Sequence, residues 1–536
     1  MTDDSRDPAS ADVSDTWPRT ERERIVAEIR AAVDAERWDD FGAIIDDYFF
    51  ALSIDAPEAL IEAWPLVPRG WLMEHPRQRL AAEFSAAIWR GAERVEERVT
   101  RTFTQWVLEQ ANPAPRDVLL VHAMDVRQHL VAGRFARAND AADDAQRIIR
   151  DAEDRAGFED LIGIAQVQIG LARLVTGDLG RAADAFSAGW RQCRAGLPHP
   201  MAPYLAGFAA VAYALAGDNG RAAEWTARSG VPRTDDPRAM TYRFQFGGRL
   251  AEALVALGCL DRTAAETALD QVDAGIESGD LWWIGTHARA RSALFWGDRA
   301  AALREIERSL NSFPSLTAPT SLAGARLRAD ASDLLQSLGE LERASRVLEP
   351  IERAENDPYL AVSAARALMI QGRAREATEL MDRAQTHRNP EGIETARWRV
   401  MRANLTHLAR PTPSAKDMIA GTRSVLDATQ AWDAAYEAIP GVRQVITADA
   451  PLPGDGTARI VPPPMVSLTP REEQVLGLLA AHASVQQIAD AMFVSRNTAK
   501  THLRVLYRKL GVSSREAALE ASVHLRRGHT PRHTSG

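Results

Sequence analysis

Along most of this chain apolar residues recur at the three-and-four spacing of amphipathic helices, and strand-like alternation is scarce. Segments such as LVTGDLGRAADAF, ALAGDNGRAAEWT, QSLGELERASRVL and MIQGRAREATELM share one layout: an apolar helix, a glycine, then an alanine-rich amphipathic helix. Glycines followed five residues later by a small residue recur as Gly133/Ala138, Gly177/Ala182, Gly217/Ala222, Gly258/Thr263, Gly297/Ala302, Gly339/Ala344 and Gly372/Ala377, with glycine spacings of 44, 40, 41, 39, 42 and 33. The glycine supplies a helix C′ residue with positive φ. The alanine lets the second helix pack close to the first. Trp38, in AERWDDFGAII, marks an earlier turn with tryptophan where glycine is expected. Stacked helix–turn–helix units of this kind predict an α-solenoid.

Two breaks interrupt the pattern. Residues 1–16 are small, polar and acidic, and are expected to be disordered. Residues 451–464, PLPGDGTARIVPPP, carry five prolines and two glycines and read as a semi-rigid linker. The chain therefore divides into a helical-repeat body (17–450), the linker, a module at 465–527 and a disordered tail at 528–536. The longest nearly apolar run, 205–216, is shorter than the roughly 20 residues of a membrane span and predicts a buried helix.

The body resembles tetratricopeptide repeats over roughly residues 20–440, with Gly and Ala at the turn and at the start of the second helix. Its spacing departs from their 34 residues, and longer helices would account for the difference. A solenoid presents a concave face for a ligand or a protein. Trp282, Trp283 and Trp296 are expected as core knobs, with a ligand groove as the alternative. The carboxylate pairs Asp39–Asp40 and Asp46–Asp47 are expected to be solvated.

Residues 467–522 carry the chemistry. Thr469 reads as an N-cap, Pro470 as the first helical residue and Glu472 as the closure of a capping box, opening a helix to about His482. Ser484 caps a second helix ending near Met492. Phe493, Val494 and Ser495 make a short turn, and Ser495 caps a third helix from Arg496 to Leu510, stopped by Gly511. Ser513 and Glu516 open a fourth, to about Arg526. At about 100° per residue with Asn497 at zero, Lys500, Thr501, Arg504 and Arg508 fall within an arc of about 100°. Ala499, Leu503, Leu506 and Leu510 fall opposite. One long polar, cationic face and one oily face are what a helix in a DNA major groove requires.

This segment resembles the LuxR/FixJ-type (GerE-like) four-helix DNA-binding domain. Leu468, Thr469, Arg471, Glu472, Val475 and Leu476 match its opening text, Ile488 and Ala489 the next part, Ser495, Thr498, Lys500 and His502 the third, and Lys509, Leu510, Gly511 and Val512 the last. The resemblance implies that Arg496–Leu510 is the recognition helix. Lys500, Thr501 and Arg504 would read base edges, with Asn497 at the groove edge. Thr469, Thr498, Arg508 and Lys509 would contact phosphates, which fixes register. His502 would pack or touch the backbone. The last helix would supply a dimer seam of Ala517, Ala518, Ala521 and Leu525. Gln474, His482, Val485, Gln486, Gln487 and Ala499 depart from the family text. A lysine lost at Gln486 removes one phosphate contact, lowering affinity and salt slope.

Composition narrows the remaining options. Apolar residues are 46% and charged residues 26%, ordinary for a soluble globular chain. The N-terminus is the reverse of a secretory signal, and Cys193 and Cys259 lack metal-ligand spacing, which favours the cytoplasm. Of 64 basic residues only Lys416, Lys500 and Lys509 are lysines, and none follows a glycine, which excludes a P-loop nucleotide site. No catalytic or metal-binding constellation emerges, so neither enzyme activity nor a cofactor is expected, and His524, His529 and His533 are read as tail residues. Residues 465–536 carry a net charge of +5, which leaves −14 on residues 1–464. A basic module on an acidic body suits a polyanion partner.

The expectation is therefore an all-α protein: an α-solenoid of helix–turn–helix repeats followed by a four-helix LuxR-type DNA-binding domain. It would be a cytoplasmic bacterial transcriptional regulator that binds double-stranded promoter DNA as a homodimer. The architecture resembles the large LuxR-type regulators related to the maltose activator, without their ATPase and without a phosphoacceptor receiver pattern. Control would come from a small-molecule effector or protein partner on the repeats, and masking of the module by the acidic body is compatible with their charges. No membrane association is expected. The alternative is a helical-repeat protein–protein adaptor with a weak or vestigial DNA module.

Overall fold

A computed structural model describes residues 17–519 apart from 90–96, 196–197, 231–239, 274–280, 350–357, 387–395, 410–412, 454–469, 482–483, 511–513 and the single residues 372, 449 and 517. The expected disordered ends and residues 454–464 of the linker lie outside the described residues. Among the described residues the fold is all-α, with no strand. Helices follow one another as pairs, such as Pro115–Val131 with Phe135–Asp151, Phe158–Val175 with Leu179–Arg194, and Leu322–Ser337 with Leu341–Arg346. The helices of the second pair run 18 and 16 residues, long enough to explain a period near 40.

The repeat turns close with the hydrogen bonds that end a helix in a left-handed residue. Gly133, Gly177 and Gly339 have φ of 67°, 88° and 81°. The next residues donate back across each turn, Arg134 N to His129 O at 2.8 Å, Asp178 N to Arg173 O at 2.9 Å and Glu340 N to Leu335 O at 2.9 Å. Gly217 also has positive φ. Two glycines do not behave as expected. Gly258 ends its helix, and the left-handed residue is Leu260 (φ 60°), with Asp261 N bonded to Ala256 O at 2.9 Å. Gly297 stays out of the left-handed region, donating to Ala293 O at 3.2 Å. Gly372 lies outside the described residues. At the turn before Trp38 the left-handed residue is Glu36 (φ 55°).

The small residue five positions on performs its expected task where the glycine does: Ala138, Ala182, Ala222 and Ala344 are fully buried. Ala377 is fully buried too. Where the turn shifts to Leu260, the slot shifts with it: Thr263 is exposed and Ala265 is buried.

The helices divide into two compact units, one of residues 1–215, 221–252 and 270–282, the other of residues 216–220, 253–269 and 283–536. In the first, Trp17, Ile25, Phe41, Ile45 and Leu52 form an N-terminal core. Asp160, buried, accepts Phe50 N at 2.7 Å and Ala51 N at 2.9 Å from the helix Trp38–Asp55, and sits 3.0 Å from His199 Nε2. One carboxylate thus ties three distant segments together. Helices Ala202–Leu215 and Met240–Gly258 approach backbone to backbone: a Cβ on Gly207 would lie 2.7 Å from Gly248 N. Asp46 is not a solvated acid. It accepts from Arg77 at 3.2 Å and Gln78 at 3.0 Å, and Arg77 also holds buried Asp117 at 2.7 Å. Asp39, Asp40 and Asp47 are exposed, as expected, with partial desolvation pushing the Asp47 carboxyl up.

In the second unit Trp398, Met401, Ile419, Leu426 and Val442 centre the core. Trp283 is buried, and Trp296 packs beside Phe295 and Leu260, so these rings belong to the core. The apolar run 205–216 lies in the buried helix Ala202–Leu215, and among the described residues no helix is long and apolar enough to cross a membrane.

Glu36 is exposed and left-handed, so Glu36→Gly is expected to stabilise the first unit by about 1 kcal/mol. A Cβ at Gly339 meets no atom within 4 Å, so Gly339→Ala isolates the backbone cost and should destabilise by about 1 kcal/mol. Urea midpoints of the two variants should move in opposite directions. Asp160→Ala removes the shared acceptor of Phe50 N and Ala51 N and the carboxylate beside His199, and should cost about 1–3 kcal/mol; an unchanged midpoint would refute its role as a tie.

Candidate nucleic-acid interface

Three helices of the C-terminal module are described, Pro470–Ala481, Val485–Ala491 and Arg496–Leu510, together with helical residues around 515–519. Val475, Leu476, Leu479, Ile488, Met492, Leu503, Leu506 and Ala518 form its core. The N-cap expected at Thr469 lies outside the described residues. Ser484 caps the second helix in a full capping box with Gln487. Its hydroxyl accepts Gln487 N at 3.3 Å, and Gln487 Oε1 accepts Ser484 N at 3.0 Å. Gln487, counted as a departure from the family text, therefore works as the closing residue of S-x-x-Q, a signature the sequence did carry. Gln474, another departure, accepts from Arg471 at 2.6 Å.

Phe493 turns the chain into the third helix. It takes φ 55°, and Val494 N closes the turn on Ala489 O at 3.0 Å. Its ring is 96% exposed, so the side chain contributes nothing to the core it borders. Ser495 then caps the third helix, its Oγ accepting Thr498 N at 3.1 Å and lying 2.8 Å from Thr498 Oγ1.

The third helix divides as its periodicity predicts. Ala499, Leu503 and Leu506 are buried, whereas Arg496, Asn497, Thr498, Lys500, Thr501 and Arg504 are exposed. The helix carries five basic residues and no acid. Thr501 Oγ1 donates to Asn497 O at 3.0 Å, leaving its methyl and oxygen lone pairs outward-capable. Among the described residues no side-chain bond ties down Asn497, Lys500 or Arg504. His502 is half-buried, away from the cationic face. The side chains of Arg508, Lys509 and Leu510 lie outside the described residues. Burial pushes the Tyr507 hydroxyl up, keeping it protonated against the core.

The expected dimer seam needs correction at one position. Ala518 is fully buried against the module's own helices, so it cannot also be an outward seam residue. Period alone could not separate the two uses of a small apolar residue. Ala517, Ala521 and Leu525 lie outside the described residues. The same short helical segment is anchored by Arg515, which donates to Leu479 O at 2.7 Å, a bond with no sequence signal.

Ser484→Ala should cost the module about 1 kcal/mol through the lost cap. Phe493→Gly should stabilise it by a similar amount, about 1 kcal/mol, by removing left-handed strain from an exposed residue. Hydrogen exchange at residues 475–506 would read both, as lower and higher protection respectively.

Residues 466–521, about a tenth of the chain, match the family model of the bacterial regulatory proteins of the luxR family (GerE). The match encloses the capped turn, the core and the exposed cationic helix just described. This segment of the chain is a luxR-family helix–turn–helix DNA-binding module.

Proposed function

We propose that this chain is a bacterial transcriptional regulator whose module at 465–527 reads promoter DNA as a homodimer and whose helical-repeat body at 17–450 senses a ligand or docks a protein partner in the cytoplasm. The observation that carries the reading is the exposed face of Arg496–Leu510, on which Asn497, Lys500, Thr501 and Arg504 stand clear of any acid of their own helix. Laid in a major groove, Lys500 and Arg504 donate to guanine O6 and N7, Thr501 offers a methyl and a hydroxyl, and Asn497 reaches the groove edge. Thr498 stands at the capped N-terminus of that helix, where a phosphate is favoured by the amide ends. Thr469, Arg508 and Lys509 complete the phosphate contacts in this reading. With Ala518 in the core, the dimer seam falls to other residues of the fourth helix.

Selection of genomic fragments by the full chain tests the reading. A recurrent two-fold-symmetric site is expected; recovery of no preferred sequence would favour the adaptor alternative. On that site Arg504→Ala should lose about 1–3 kcal/mol and relax preference at one base position. Gln486 is exposed and bonded only to Asp490 at 2.9 Å among the described residues. Gln486→Lys should therefore restore a phosphate contact, steepening the log–log salt slope by about 0.9 without changing the site.

A further inference from the structure

The turn before the third helix of the C-terminal module carries two costs that its own fold does not return. Among the described residues four non-glycines take left-handed φ: Glu36, Leu260, Gln430 and Phe493. Glu36 and Gln430 are polar and face water, and Leu260 is buried. Phe493 alone joins the strained backbone, φ 55°, to a large apolar side chain in solvent. Its ring, 96% exposed, stands freer than any other large apolar side chain among the described residues, the next being Leu108 at 76%. Glycine here would remove the strain, and a polar residue the exposed ring. A backbone outlier joined to an unburied aromatic is the pattern of a contact made outside the fold.

The turn also holds that ring in place. Met492 on one side is buried, and Val494 on the other packs against the module's core. Phe493 N donates to Asp490 O at 3.1 Å and Val494 N to Ala489 O at 3.0 Å, while Arg471, from the first helix of the module, donates to Met492 O at 3.4 Å. The backbone at 493 is thus tied to both preceding helices, which fixes the direction of its Cα–Cβ bond. A phenyl on a fixed backbone has little freedom left to lose on binding.

Its place along the chain points to what the ring meets. Two residues on, Ser495 caps the third helix, accepting Thr498 N at 3.1 Å. Ser495, Arg496, Asn497 and Thr498 are all exposed beyond it. Phe493 is therefore continuous with the helix N-terminus that receives a phosphate in the DNA reading above. Next to a contacted phosphate lies the deoxyribose esterified to it, whose C–H face is the apolar part of a DNA backbone. Asp490, the acid nearest in sequence, has its carboxylate engaged by Gln486 Nε2 at 2.9 Å.

We propose that Phe493 is a DNA-positioning residue: its ring packs on the deoxyribose beside the phosphate at the capped N-terminus of Arg496–Leu510 and fixes the seating of that helix in the groove. Such a contact reads no base and displaces no counterion. It adds affinity on any sequence and leaves the salt slope alone. The proposal rests on the DNA reading above and deepens it with an apolar contact that Thr498 and the cations of the helix do not supply.

The test uses the full-length chain and two labelled duplexes, one carrying the site recovered from genomic fragments and one a scrambled sequence of the same length. Phe493→Gly should weaken binding to both by at least about fivefold through the apolar area lost, with the log–log salt slope and the base preference unchanged. In the same variant hydrogen-exchange protection of residues 475–506 should rise. Lower affinity together with higher protection separates a DNA contact from a damaged fold. Phe493→Asn accepts the left-handed backbone without a ring and should weaken binding equally, which excludes loosening of the turn by glycine as the cause. Phe493→Tyr keeps the ring and should stay within about twofold of the native chain. Native affinity in both the Gly and Asn variants would overturn the proposal, as would a shallower salt slope, the mark of lost charge contacts. Unchanged DNA binding with lost transcription by purified bacterial RNA polymerase, from a template bearing the site, would overturn it in favour of a protein partner. A native chain that binds neither duplex would defeat the DNA reading itself, and this inference with it.

Discussion

The constraint on which this structure depends is that none of its helices can hide an apolar face alone. Helices of fewer than about 12–15 residues are marginal in water, and much of this chain consists of segments near or below that length. Each is stable only because a neighbour covers it, and the neighbour is delivered by a turn that reverses the chain within two or three residues. The turns at Gly133, Gly177, Gly217, Leu260 and Gly339 combine one residue in the left-handed region with a buried alanine five positions on, where the second helix meets the first. Glycine and alanine answer both needs cheaply, which is why they recur. Glu36, Leu260 and Phe493 show that the geometry, not the glycine, is the requirement. At Leu260 the small buried residue moved along with the left-handed one, from position 263 to 265, so turn and contact form one unit.

Polar groups inside the array follow a second logic. In the first unit Asp160 takes amides from the middle of a helix, where they would ordinarily bond along it. That arrangement is satisfied on all sides and acts as a tie. In the second unit Arg291 and Arg397 meet Asp433 and Glu437 from a distant segment, and Arg366 Nε, Arg397 Nη1 and Glu437 Oε2 are buried without a hydrogen-bond partner. The two units thus differ in how completely their buried polar networks are satisfied.

The module repeats the turn chemistry of the body for another purpose. Its capped helix ends and short turn hold the third helix rigidly, with the oily side inward and the cationic side out. In the proposed DNA reading that placement matters, because base edges are read by side chains presented at fixed spacing. Departures from the family text cluster where they cost little: Gln487 still closes a capping box, Gln474 still meets Arg471, and Ala499 still fills the core.

What the sequence determined by itself was everything set by local period and local capping. The all-α class, most turns of the array, the bounds of Arg496–Leu510, and its outward Asn497, Lys500, Thr501 and Arg504 against inward Ala499, Leu503 and Leu506 all follow from a 3.6-residue repeat. Only tertiary structure decided the rest. Ala518 could serve as seam or core, because a small apolar residue on an amphipathic helix looks the same in either use. The shift from Gly258 to Leu260 was hidden because a left-handed conformation can be enforced by packing on either side of it. The buried contact of Arg291 with Asp433 was invisible for the plainest reason: the two are 142 positions apart, and no local pattern records that a charge is buried until the fold brings its partner to it.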